Sequence, residues 1–362
     1  MAAAAAGLVS AAENIVYVGT YTGKGSRGIY AWRLDPATGA LAEIGLVGET
    51  NNPSFLAMHP NGKFLYAVNE TKDGQVTGFS IDPQTASLTA LNHVPTGGAD
   101  PCHLVVDPTG HALIVANYTG GSVASFPISA DGTLGNAVTF LQHHGSSVNK
   151  ARQEAAHAHD VALSHDNRVA IISDLGMDKL MVYRFDSQTG ALTANDPPFV
   201  PMKPGSGPRH FVFDASGTHG YVINELASTV TTFDWDARRG ALREIQTVST
   251  LPAEFKGTNT AAEITIHPSG RFLYGSNRGD DSLALFLIDK ATGTLKPAGR
   301  FSTGGRTPRS FAIDPTGEWL IAANQDSNDI FEFRIDQKTG VLTPAGTRLQ
   351  LSQPVCVLFA VR

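Results

Sequence analysis

The sequence predicts an all-β fold, a seven-bladed β-propeller of four-stranded antiparallel blades. Three observations carry that expectation: a strand-turn motif that occurs seven times, a second strand-turn-strand motif interleaved with it, and an incomplete set of strands at each end of the chain.

The first motif is an alternating apolar strand, an Asp-x-x-Thr-Gly turn and the start of a further strand, clearest in Ser282 to Leu295 (SLALFLIDKATGTL). The other copies begin at Gly28, Gln75, Ser122, Lys179, Thr229 and Asp329, so successive copies start 47, 47, 57, 50, 53 and 47 residues apart. The second motif is an apolar strand, a tight turn and another strand, as in Pro53 to Glu70 (PSFLAMHPNGKFLYAVNE), Pro101 to Thr119, Pro208 to Glu225, Ala262 to Gly279 and Pro308 to Asp326. Between Ala158 and Gly176 the same frame holds, with Ser164-His165-Asp166-Asn167 at the turn. Gly and Asn accept the positive φ that such turns demand, and Pro sets the residue before them, so each period supplies four short strands.

The ends predict how the ring closes. Ile15 to Thr20 corresponds to the second strand of a blade that has no first strand, while Gln353 to Phe359 reads as a first strand with nothing after it. Pairing the N-terminal and C-terminal strands in one blade leaves no open sheet edge. Residues 14–362 are therefore expected to form one propeller. Residues 1–13 are expected to be either an alanine-rich tail or the remnant of a secretory signal whose basic start is missing. The expected compartment is the cytoplasm, or the periplasm if the second reading of that stretch holds.

Composition narrows the classes. Apolar residues make up 42% of the chain and charged residues 17%, with Gly 37 and Pro 20, which fits a turn-rich β protein and excludes disorder. A formal charge of −6 gives no basic field for a polyanion, so no nucleic-acid partner is expected. No apolar run is long enough to span a bilayer, and no membrane partner is expected. The assembly expected is a monomer or a weak homo-oligomer. Cys102 and Cys356 look like small buried hydrophobes on first strands, and spacing does not decide whether they pair.

In a four-stranded blade, the turns after the first and third strands lie at one end. Those are the regular turns, so the chemistry is expected at the other end, where first strands begin and second strands finish. First strands bring His103, His157, His159, Arg209, His210, Glu263 and Arg309 there. Second-strand ends bring Glu70, Tyr118, Asp174, Glu225, Arg278 and Gln325, each preceded or replaced by the recurrent Asn or Asp of the motif. The recurring Asn69, Asn117, Asn224, Asn277 and Asn324 read as structural turn residues, because one active site could not use five of them equally. The longest period holds a polar insertion, Phe140 to Ala156, carrying His143, His144, Lys150, Arg152, Gln153 and Glu154, which is expected to form a rim or partial lid.

His157 and His159 alternate along a strand, so both imidazoles are expected on one side, either as buried hydrogen-bonded groups or as a general base or acid. Zinc is the poorer reading, because no HExxH or paired Cys accompanies them. Arg209 and Arg309 at the channel either meet carboxylates such as Glu70, Glu225 or Glu263, or await an anionic ligand. No nucleophilic Ser elbow, phosphate loop or dinucleotide fingerprint is present.

Asn52 to Glu70, Ala-His-Ala-His (Ala156 to His159), Gly-Pro-Arg-His (Gly207 to His210), Tyr-Val-Ile-Asn-Glu (Tyr221 to Glu225), Ser-Asn-Arg-Gly (Ser276 to Gly279) and Thr-Pro-Arg (Thr307 to Arg309) together resemble the seven-bladed propeller lactonases. That group contains the bacterial propeller-type 6-phosphogluconolactonase and the fungal carboxy-cis,cis-muconate cyclase, and the resemblance runs from Ile15 to Phe359. It implies a catalytic set of His157 or His159, Arg209, Glu225 and Arg278. It also implies a small-molecule lactone or sugar acid as partner, with no cofactor and no metal. On this reading a histidine assisted by Glu225 deprotonates water, Arg209 and Arg278 stabilise the oxyanion, and Arg309 and Arg152 hold a phosphate or carboxylate. Glu70, His210 and Glu263 are expected to line the substrate. The alternatives are the lactone-forming cyclase and a non-catalytic binding propeller.

Overall fold

The computed structural model describes residues 14–23, 25–346 and 348–360; the tail expected at residues 1–13 lies outside them. Every regular element among the described residues is a strand, arranged as seven antiparallel sheets. In blade 1 the order is Pro354–Phe359, Asn14–Thr20, Gly28–Leu34 and Leu41–Glu49, so the two chain ends complete one blade, as expected. The first strands of blades 2 to 7 are Leu56–Met58, Pro101–Val106, Ala158–Leu163, Pro208–Phe213, Thr260–Ile266 and Pro308–Ile313. No helix among the described residues is long and apolar enough to cross a membrane.

Seven apolar clusters hold the ring, one between each pair of neighbouring blades. The cluster across the seam joins Val16 and Trp32 of blade 1 to Trp319 and Ile321 of blade 7. A sheet buried on both faces needs near-continuous apolar strands, and the second strands supply them: Ala112–Asn117 is buried at every position.

The repeated turn does more than reverse the chain. Asp35 accepts from the Ala37 N–H at 2.9 Å and the Thr38 hydroxyl at 2.8 Å, while Gly39 takes the positive φ. Turn carbonyls then receive tyrosine hydroxyls from the preceding blade: Tyr17 donates to Ala86, Tyr66 to Gly132, Tyr221 to Gly293 and Tyr274 to Gly340, at 2.7 to 3.1 Å. Across the seam Trp319 Nε1 donates to the Pro36 carbonyl at 2.9 Å. In these five blades the turn is therefore both a reversal and an inter-blade acceptor.

Glu332, on the third strand of blade 7, is 3% exposed and its Oε1 has no hydrogen-bond partner among the described residues. Burial, aided by Asp314, pushes its carboxyl up to about 7. The folded value lies above the unfolded one, so the protein is most tolerant of this group at low pH and loses stability as pH rises through about 7. Glu332→Gln is expected to raise unfolding stability at pH 8 by about 1–2 kcal/mol and to change it little at pH 5. Thermal melts at the two pH values check this, and an equal shift at both would overturn it.

Candidate functional site at one mouth of the channel

The first strands of blades 3 to 7 carry β-bulges at the mouth, and each of these bulges includes a residue that bears chemistry. Register shifts leave Cys102, His159, Arg209 and Arg309 out of the ladder in blades 3, 4, 5 and 7, and Ala262 with Glu263 in blade 6. A bulge re-aims the unpaired side chain, here toward the channel at the end opposite the regular turns. The segment leading to each arginine is fixed by an aspartate at positive φ in the preceding blade. Asp178 accepts from the N–H groups of Gly205 and Gly207 at 2.6 and 2.7 Å, and Asp281 accepts from that of Thr307 at 2.8 Å.

Glu225 is the hub of the mouth. Its Oε2 lies 3.2 Å from Arg209 Nε and 2.9 Å from Arg278 Nη2, and its Oε1 accepts from Arg152 Nη2 at 2.5 Å. Burial alone would raise this carboxyl, but the charges of Arg278, Arg209 and Arg152 outweigh it and hold the group down at about 2. Each guanidinium has donors left over. Arg209 Nη1 donates to the Ala262 carbonyl at 2.7 Å and faces His210 Nε2 at 3.1 Å, and Arg278 Nη2 also donates to the Ala261 carbonyl at 3.1 Å. No acceptor among the described residues takes Arg209 Nη2 or Arg278 Nη1. Burial lowers Arg278 to about 10, so it stays cationic at neutral pH.

Arg309 differs from these three. Its guanidinium carbon stands 5.4 Å from the centre of the Tyr21 ring, and no hydrogen bond or ion pair joins it to a described residue. Burial opposes its charge, yet Tyr21, Glu70 and Glu225 raise it above the ordinary arginine value. Tyr21 in turn donates to Glu70 Oε1 at 2.8 Å, and Glu70 Oε2 is buried without a partner.

The two candidate histidines turn out unequal. His157 precedes its strand and His159 is the bulge residue, so the alternation expected of an unbroken strand does not apply to them. The His157 ring stacks on Tyr118 at 4.6 Å, and both of its nitrogens meet oxygens: Nδ1 the Tyr118 carbonyl at 3.0 Å and Nε2 the Glu154 carboxylate at 3.2 Å. His159 is 4% exposed, has its Nδ1 3.8 Å from Cys102 Sγ, and no described residue bonds its Nε2. Burial and the charges of Arg209, His210 and Arg309 hold it well below the usual histidine range, so it is neutral at pH 7.

The expected assistance of a histidine by Glu225 is corrected by this geometry. No hydrogen bond joins Glu225 to His157 or His159, because its oxygens are taken up by three guanidiniums. Glu263 likewise meets His210 rather than an arginine, its Oε1 accepting from His210 Nδ1 at 2.8 Å and from the Ile264 N–H at 3.0 Å. That contact fixes the His210 tautomer and leaves Nε2 to accept from Arg209, so His210 and Glu263 orient an arginine from beneath.

His103, Asp160 and His210 bring ligand-type atoms within 4.8 Å of one another. Their lone pairs are already engaged. The Val161 N–H points at His103 Nδ1 at 3.3 Å, which leaves the Nε2 proton for Asp160 Oδ1 at 3.0 Å, and Arg209 occupies His210 Nε2. Below this layer lies a cavity of about 580 Å³ walled by Phe55, Leu104, Phe311 and Val357 and reaching the turns at Pro268 and Pro315. A polar groove of about 770 Å³ between blades 1 and 2 holds charges too, but Arg27 and Glu49 there form an exposed pair at 2.9 Å.

The polar insertion is shorter than expected, since Thr139–Gln142 is the fourth strand of blade 3. Its remainder is pinned by His143, which bonds Asp174 Oδ2 at 2.7 Å and the Tyr183 hydroxyl at 2.9 Å, and by Ser147 donating to Asp178 at 2.6 Å. From that base Arg152 reaches Glu225 and the Tyr118 hydroxyl, at 3.2 Å from the latter. The recurrent asparagines are structural, as expected: Asn117 donates to Ser122, Asn224 to Thr229 and Asn324 to Asp329, at 2.8 to 3.0 Å.

Sequence reasoning missed three participants. Tyr21 holds in blade 1 the position that Glu70, Tyr118, Glu225 and Arg278 hold elsewhere, so the repeat itself contained the signal. Asp160 bridges His103 and the Phe211 N–H at 3.0 Å, a cross-blade contact that no local pattern marks. Cys102 is not merely a small hydrophobe, since its sulfur abuts His159; both cysteines are free.

The family described as Lactonase, 7-bladed beta-propeller matches residues 15–359. A 6-phosphogluconolactonase of Bacillus subtilis is 37% identical over 301 residues, 83% of this chain and 84% of the relative. Among solved structures, a periplasmic gluconolactonase of Pseudomonas aeruginosa superposes with a TM-score of 0.91 at 35% identity, covering 96% of this chain and 99% of its own. A putative 6-phosphogluconolactonase of Bacteroides fragilis gives 0.90 at 37% identity, covering 96% and 98%.

Proposed function

The chain belongs to the seven-bladed β-propeller lactonase family and is a lactonase, and from that premise we propose that it hydrolyses a sugar-acid lactone, 6-phosphogluconolactone first, with His159 as the base. The observation that carries this reading is the meeting, at one mouth, of a neutral imidazole with an unbonded Nε2 and buried guanidiniums with unused donors.

The chemistry balances within the site. Water attacks the lactone carbonyl carbon as His159 Nε2 takes its proton, and the carbonyl oxygen becomes an oxyanion facing Arg209 and Arg278. Collapse breaks the bond to the ring oxygen, which recovers the proton from His159, leaving an open hydroxy acid that ionises. Glu225 acts here as the counter-charge that keeps three guanidiniums together and cationic, a role that suits its low pKa better than proton transfer. Arg309, which makes no hydrogen bond or ion pair with a described residue, and Arg152, on the rim, bind the anionic end of the substrate. Glu70 Oε2 accepts from a substrate hydroxyl.

Base titration at constant pH, with 6-phosphogluconolactone and its unphosphorylated counterpart compared side by side, tests the reading. The expected result is acid release far above the spontaneous rate, with the phosphorylated lactone preferred. Preference for the unphosphorylated lactone would overturn the choice of substrate. Absence of acid release from any lactone, with ultraviolet loss of a carboxymuconate, would move the reaction to cyclisation.

A further inference from the structure

We infer that Cys102 sets the tautomer of His159, acting as a positioning residue that leaves the Nε2 lone pair free for the attacking water. The inference rests on the reading of His159 as the base.

Blades 3 and 4 are neighbours in the ring, and the extra residue of each bulge is Cys102 in one and His159 in the other. The sulfur therefore lies against the imidazole edge, 3.8 Å from Nδ1. It also lies 3.4 Å from the His159 carbonyl oxygen and 3.8 Å from that of Ala158. Carbonyls only accept, so the thiol proton goes to them. What the sulfur then offers the ring is a lone pair, and the matching arrangement puts the imidazole proton on Nδ1. Nε2 is left unprotonated and, among the described residues, unbonded. The nearest other rings, Tyr118 at 5.4 Å and His210 at 5.2 Å, stand edge to face and engage neither nitrogen.

The choice of a thiol follows from the surrounding charge. A carboxylate at residue 102 would orient the same proton but would favour the imidazolium, trapping the proton that the ring oxygen must recover. Burial, with Glu70 adding to it, pushes the Cys102 thiol well above its ordinary value, so it stays neutral and orients without charging the base. For the same reason it is not the nucleophile.

Cys102→Ala and Cys102→Ser test this in the full-length protein. Cys102→Ala is expected to lower kcat by roughly ten-fold with KM nearly unchanged, because the substrate-binding groups are untouched. Cys102→Ser, whose hydroxyl can also donate to the carbonyl and accept from Nδ1, is expected to recover most of that loss. Imidazole ¹⁵N shifts, assigned with His159→Gln, should show Nδ1–H and a bare Nε2 in the unaltered protein and a mixture in Cys102→Ala. Equal loss in both variants, an unchanged kcat in Cys102→Ala, or a protonated Nε2 in the unaltered protein would each overturn the inference. Full activity in His159→Gln would instead sink the base assignment, and the ¹⁵N result would still decide what Cys102 does.

Discussion

Arg209→Ala is expected to lower kcat for lactone opening by roughly 10²- to 10³-fold, the usual consequence of losing a preorganised oxyanion donor. Arg209 is 2% exposed and holds a fork geometry that touches Glu225, the Ala262 carbonyl and His210 at once. A lysine cannot occupy three such partners from one point charge, so Arg209→Lys should recover little activity while keeping the positive charge. The fold should survive, because Arg152 and Arg278 still neutralise Glu225. Steady-state rates at saturating lactone, read beside a thermal melt, check this. Activity within a few-fold of the unaltered protein, in a variant that melts normally, would remove Arg209 from the reaction.

His159→Gln is expected to cost roughly 10²- to 10⁴-fold in kcat, the range of positioned acid–base catalysis, while His157→Gln should cost far less. The difference follows from the nitrogens: those of His157 are both occupied by oxygens, and no described residue bonds Nε2 of His159. The pH dependence carries the same assignment. A base must be neutral to work, and burial with the neighbouring charges of Arg209, His210 and Arg309 lowers the His159 value. The acid limb of kcat/KM should therefore fall well below pH 6.5, with activity lost only as pH drops through that lowered value. A limb at or above the ordinary histidine range, or a larger loss from His157→Gln, would reassign the base.

The fold was legible because its signals are local. Asp35 with Thr38 and Gly39 makes its turn from hydrogen bonds within five residues, so the same letters give the same turn wherever the period places them. The mouth was partly legible for a related reason: in a repeat, the residue that breaks the pattern stands out, as Glu225 and Arg278 do at one equivalent position. Their relation to each other was another matter. Whether an arginine meets an acid depends on which blades bring them within 4 Å, and here the arginines differ, Arg209 and Arg278 converging on Glu225 while no described residue makes a hydrogen bond or ion pair with Arg309. The bulges were out of reach altogether. A strand's register is set by its partner, so the extra residue that turns His159, Arg209 and Arg309 into the channel leaves no mark in the strand itself.

By itself, then, the sequence determined the number of blades, the way the ends close them and the end of the ring where unlike residues gather, because turn chemistry and period are properties of neighbouring residues. Only the tertiary structure decided which histidine has a nitrogen that no described residue bonds, that Glu225 meets three guanidiniums and neither candidate histidine, and that the Cys102 sulfur lies against the His159 imidazole. Those outcomes depend on distances between residues tens of positions apart, and a buried charge takes its protonation from whatever the fold packs around it.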